Sequence, residues 1–229
     1  MSLIEAIRYT EILMGLAFMQ QSIEHLRSFR NEQLIFLARL ILSLLLVAGI
    51  QTSWVTGLLL LSALAMLHRF QGPYNGGSDR MGLLVLCCLL LSDIAPTQYW
   101  QEVAFGYLAI QLVLSYFISG WVKIINPDWR SGQALTDVFQ FSSYPVSESL
   151  RSLATYPRVM FVSSWYVMLF EILFPLALLN QYSLIIMLIV TASFHFANAC
   201  LFGLNRFFWI WLSAYPSIIW FQQRLFVTM

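Results

Sequence analysis

The 229-residue chain is 59% hydrophobic and only 10% charged, with a mean hydropathy of +0.74 and a formal net charge of +1. Soluble domains carry about 25% charged residues, and a chain this apolar would expose patches that a soluble monomer does not tolerate. That excludes a soluble domain, and the near-neutral charge offers no basic surface for nucleic acid.

The expected partner of such a chain is the lipid bilayer. A membrane-crossing helix needs about 20 mostly apolar residues. Residues 4–26 make the weakest candidate, because Glu5, Arg8 and Glu11 share one side of the helical wheel. The same charges interrupt the place where a cleavable signal would have its apolar stretch. Clear candidates follow at 34–50, 52–69, 81–96, 102–125, 158–179, 181–203 and 205–222. Runs this continuous lack the two-residue alternation of a barrel, so helices are the expected form. The expectation is an all-α fold, a polytopic transmembrane helix bundle of about 7–8 spans in one domain, 1–229. Cys87, Cys88 and Cys200 lie inside apolar runs, and their odd number and spacing give neither a disulfide framework nor a metal motif.

The connections divide into two kinds. Those at 50–53, 97–101 and 180–182 are short and carry no Lys or Arg, whereas those at 27–33, 68–80, 126–157 and 204–206 hold most of the positive charge. By the positive-inside rule the long loops face the cytoplasm and both termini lie outside, as in a bacterial inner membrane. In the longest connection, 126–157, Leu135, Val138 and Phe139, then Leu150, Leu153 and Ala154, recur at helical spacing. One or two short amphipathic helices are expected there, forming a lid.

The chemistry-bearing residues inside apolar runs are few. Lys123 sits in "SGWVKIINPDWRSG"; a lone lysine near a helix end often reaches for the headgroups while its stem packs in lipid. Turned inward, its amine becomes a candidate base. Glu171 and His195 lie mid-span, where a charge costs roughly 2.5–3.5 kcal/mol, so both should face the interior and have partners. Their simplest structural reading is a hydrogen bond with each other. Pro175 should kink the helix that carries Glu171. Arg39, within "FLARLILS", can snorkel to the interface or neutralise an internal carboxylate. In "HRFQGPYNGGSDR" the Asn-Gly-Gly run predicts a tight turn with positive φ, after which Asp79 and Arg80 restart a helix.

These residues together resemble a known family. "SYFISGWVKIINPDWRSGQAL" (115–135) is similar to the signature of the HTTM family, the membrane domain shared with vitamin K-dependent gamma-carboxylase and with sporulation-delaying peptide maturation proteins. "YNGGSDR", "EILFP" and His195 match further family features in the same order, from about residue 70 to 210, with Ser78 as an insertion. The resemblance implies a multi-helix membrane fold. It also implies that Lys123 is an active-site base acting on a reduced quinone, and Glu171 and His195 are the proton partners expected beside it. Substrate-binding positions would be Asn75, Gly76, Gly77, Asp79, Arg80, Asp128, Trp129 and Arg130. In the carboxylase the lysine-bearing loop faces the lumen, the opposite side from that given by the charge pattern here.

Two functions are therefore expected to compete. One is modification or maturation of a small substrate or peptide, using a quinone-like molecule held under the 126–157 lid. The other is a non-catalytic membrane subunit of the DoxX-like kind, whose polar residues only join helices and stabilise a larger assembly.

Overall fold

The computed structural model describes residues 1–28, 32–69, 76–142 and 147–226, and all regular structure among them is helical. Eleven α-helices follow in chain order: α1 (Leu3–Ser28), α2 (Gln33–Ala48), α3 (Thr52–Arg69), α4 (Gly77–Ile94), α5 (Gln98–Ile125), α6 (Pro127–Ser131), α7 (Gln133–Phe141), α8 (Glu148–Arg151), α9 (Pro157–Leu173), α10 (Gln181–Phe202) and α11 (Asn205–Phe226). Three of the resulting segments are long and apolar enough to cross a membrane: Gln98–Ile125, Pro157–Leu179 and Gln181–Phe202. Helices also form at the other expected spans. The 16 residues of α2 reach about 24 Å, short of a hydrocarbon core of about 30 Å.

The helices group into two compact units, one of Met1–Ile110 with Arg206–Met229 and one of Gln111–Asn205. In the first, α1 and α2 pack closely. A Cβ on Gly15 would lie 3.0 Å from the Ser43 carbonyl oxygen and 2.6 Å from a Val47 methyl. Arg8 closes the far end of this pair. Its guanidinium bonds Glu11 at 2.7 Å and the Leu46 carbonyl at 2.8 Å, at the end of α2 where carbonyls lack helical partners. Arg39 is 3% exposed, so it does not snorkel. It donates to Gln21 at 3.1 Å and lies 4.6 Å from the centre of the Phe18 ring.

The second unit contains the end of α5 and all of α6–α10. Its three short helices come from local signals. The Asn126 side chain accepts from the Asp128 N–H and Pro127 opens α6, while Gly132, at φ +83, ends it. A Cβ on Gly132 would meet Phe161 backbone at 2.9 Å, so only glycine fits there. Phe139 of α7 packs with Ala154, Met160 and Phe202, joined by Leu135, Leu150 and Leu153. The amphipathic segment expected at 126–157 is thus present in more pieces than foreseen, α6, α7, α8 and a 3-10 turn at Ser152–Thr155. Its apolar side rests on the start of α9 and the end of α10. After Leu173, α9 continues as a 3-10 helix, Phe174–Leu179, at the proline expected to disturb it. Pro175 has no N–H with which to continue the α-helical ladder.

Candidate functional site

One face of α5 carries the site. Tyr116, Ser119, Gly120 and Lys123 are spaced at i, i+3, i+4 and i+7, which places them in one stripe. Gly120 makes a close approach to α9. A Cβ there would lie 2.6 Å from the Ile172 backbone nitrogen and 3.0 Å from Cβ of Glu171. The missing side chain therefore lets the α5 backbone touch α9 beside Glu171. One turn further along α5, Lys123 meets that carboxylate.

The contacts are short and interlocked. Lys123 Nζ lies 2.5 Å from Oε2 of Glu171 and donates to Oγ of Ser119 at 2.6 Å. Ser119 in turn donates to Oε1 of Glu171 at 3.2 Å. Both carboxylate oxygens are thereby engaged. The Glu171 side chain is 4% exposed and that of Lys123 17%, so the carboxylate is sealed while the amine keeps one open side. The lysine does not snorkel away from the protein.

A second pair continues along the stripe. The Tyr116 hydroxyl and Nε2 of His195 are 2.9 Å apart, and the Tyr116 ring stacks on Phe174 at 4.4 Å. The expected bond between Glu171 and His195 is therefore replaced by two others, Glu171 with Lys123 and Ser119, and His195 with Tyr116. α5 supplies a partner to each.

The "NPDWRSG" stretch roofs the amine. Trp129 on α6 places its ring centre 5.3 Å from Lys123 Nζ, within the range of a cation–π contact. α6 is held by α9, since Ser164 donates to the Trp129 carbonyl at 2.5 Å and Trp165 to that of Arg130 at 3.1 Å. Asp128 and Arg130 themselves are exposed.

The remaining positions singled out in the sequence lie in the first unit. Asn75 falls outside the described residues. Gly76 precedes α4 with φ −74, and Gly77 is not among the glycines with positive φ, so the turn expected from Asn-Gly-Gly is not left-handed at either glycine. Asp79 faces Arg206 at 3.7 Å, and Arg206 also donates to Nε2 of His25 at 3.1 Å. The other His25 nitrogen lies 2.8 Å from the Gln21 carbonyl, so Nδ1 carries the hydrogen and Nε2 accepts. Arg80 is exposed.

For Tyr116, Ser119 and Gly120 the sequence carries one signal, their spacing with Lys123 along a single helical face. Composition adds a further signal. Lys123 is the single lysine, and the other eleven of the twelve Lys and Arg residues are arginine.

Among known proteins, a family model described as HTTM domain matches residues 93–223, more than half of the chain. The matched stretch contains Lys123, Glu171 and His195. No curated protein and no solved structure matches the chain.

Proposed function

The chain belongs to the HTTM domain family, and from that premise we propose that it is a multi-pass membrane protein in which Lys123 serves as an intramembrane base. The observation that carries this reading is the choice of residue. A chain that uses arginine at eleven positions keeps its one lysine where it touches a sealed carboxylate. Guanidinium does not lose a proton in proteins, whereas an amine does. A site that needed only a positive charge would be served by either.

In this reading Glu171 receives or returns the proton of Lys123, and Tyr116 with His195 forms a second proton-carrying pair. Trp129, with Asp128 and Arg130 on the same short helix, borders the approach to the amine. Asn75, Gly76, Gly77, Asp79 and Arg80 remain proposed substrate contacts on the resemblance alone. A lipophilic, quinone-like molecule would supply the redox couple for modification or maturation of a small substrate or peptide. Two features of the second unit favour such a guest. Aromatic rings of Trp129, Tyr116 and Phe174 flank the polar stripe. A cleft of about 420 Å³, lined by Tyr166, Leu169, Phe170, Leu173, Ile186 and Met187, offers apolar room along α9 and α10. The proposal retains seven or eight spans and a bacterial inner membrane as the setting.

The competing reading is a non-catalytic, DoxX-like subunit. It is favoured by the completeness of the Lys123–Ser119–Glu171 contacts, which join α5 to α9 as a structural tie would. Lipid extraction of the purified protein followed by mass spectrometry separates the two. A quinone-like molecule retained near one per chain is expected; bulk phospholipid alone, in membrane proportions, would reject the ligand-binding reading.

A further inference from the structure

We propose that Ser119 is a positioning residue that holds the Lys123 amine against the Glu171 carboxylate and biases the proton between them toward the amine. This deepens the reading of Lys123 as a base and rests on it. Three observations meet at this hydroxyl. Its oxygen accepts from Nζ at 2.6 Å, and its hydrogen points to Oε1 at 3.2 Å, the carboxylate oxygen that Lys123 does not use. Ser119 lies one turn before Lys123 and next to Gly120, where α5 comes close to α9, so its reach is fixed by backbone and not by a flexible stem. Many helical serines return their hydroxyl to a carbonyl of the preceding turn. Ser115 does so, donating to Leu112, while Ser119 is turned across to the neighbouring helix.

The step is balanced within the protein. One N–H bond of the Lys123 ammonium breaks and one O–H bond forms on Oε2 of Glu171. An ion pair becomes a neutral amine and a carboxylic acid, with no change in total charge and no external reactant. In a site with low dielectric the two states lie closer in free energy than in water, because both charges of the pair carry a desolvation cost. Ser119 stabilises the charged state at both ends, as an acceptor for ammonium and a donor to carboxylate. It also keeps the direct contact short. The Trp129 ring on α6 also faces the amine, and His195 on α10 sets its Nε2 against the Tyr116 hydroxyl on the same stripe of α5.

Because the chain has one lysine, incorporation of lysine labelled with ¹⁵N at Nζ gives a single amine signal whose position distinguishes ammonium from neutral amine. The full chain in detergent micelles would be titrated as wild type, Ser119→Ala and Ser119→Thr. Ser119→Ala is expected to lower the midpoint by about one pH unit, a tenfold change, through loss of a hydrogen bond that favours the charged form. Ser119→Thr keeps the hydroxyl and is expected to stay near wild type. Equal midpoints in wild type and Ser119→Ala would overturn the proposal, even if Ser119→Ala were less stable. So would a Ser119→Thr midpoint that follows Ser119→Ala. Neither result depends on turnover. The base reading fails separately, if Lys123→Arg retains activity.

Discussion

Replacing Lys123 with Met is expected to destabilise the protein by about 3–5 kcal/mol, the range for removing one partner of a buried ion pair. Read as an isolated lysine in an apolar run, Lys123→Met should insert and fold without penalty, since it removes a charge. The contact with Glu171 makes the change costly instead. Glu171, at 4% side-chain exposure, would keep only Ser119. The opposite change, Glu171→Met, should cost less, about 1–3 kcal/mol, because the lysine has a 17% opening through which its stem can redirect the ammonium. The double variant removes both charges and should recover about 2 kcal/mol relative to the sum of the single changes. Unfolding in mixed micelles, read by tryptophan fluorescence, gives the four stabilities. Additive effects would show that the two residues do not depend on one another. The corresponding cycle between Glu171 and His195 should show weaker coupling, because each has its own partner.

A second large effect is expected at a residue with no chemistry. Gly120→Ala places a Cβ where the Ile172 backbone nitrogen is 2.6 Å away. The obstacle is backbone, which cannot rotate aside as a side-chain tip can. α5 and α9 must separate, at a cost of about 1–3 kcal/mol for overpacking. Gly120→Val should cost more, since it adds two methyl groups at the same crossing. The separation also pulls Lys123 from Glu171, so Gly120→Ala should lose the contact even where it remains folded. Gly106 makes a suitable control, because a Cβ there would meet the Phe221 ring at an ordinary 3.6 Å. Gly106→Ala should leave stability close to wild type. Equal stability of Gly120→Ala and wild type would contradict the close approach of α5 and α9.

What the sequence disclosed follows from the range of the forces involved. Helices were legible because apolar runs and their periodicity are local. The short helix α6 left its marks too, in Asn126-Pro127 at the start and Gly132 at the end, although the stretch reads equally well as an exit from the bilayer. That Glu171 and His195 must have partners was legible from the cost of burying them. Which partners they have was not. Lys123 and Glu171 are 48 residues apart, and pairing of helices is decided by packing that no local pattern records. Two mid-span polar residues invited a direct link, but α5 supplies Lys123 to one and Tyr116 to the other. Arg39 was ambiguous for the same reason, since an arginine in an apolar run looks alike whether its head meets lipid headgroups or Gln21. Gly120 appeared only as a small residue, and its role becomes visible when the Ile172 backbone is placed against it. The left-handed turn foreseen at Asn-Gly-Gly failed at Gly76 because glycine permits positive φ without requiring it.

Whether Lys123 gives up its proton in function, or only ties α5 to α9, can be read from one comparison. Wild type and Lys123→Arg would be reconstituted in liposomes, and oxidation of a reduced naphthoquinone by dissolved oxygen followed above the uncatalysed rate. Arginine keeps the positive charge beside Glu171 and Trp129, so folding is expected to survive, which thermal unfolding of the same samples would verify. A base contributes about 10²–10⁴-fold to rate, so wild type should accelerate the oxidation and Lys123→Arg should lose at least about 100-fold of that acceleration. Equal acceleration by the two proteins would contradict a base at Lys123 and leave it a structural tie.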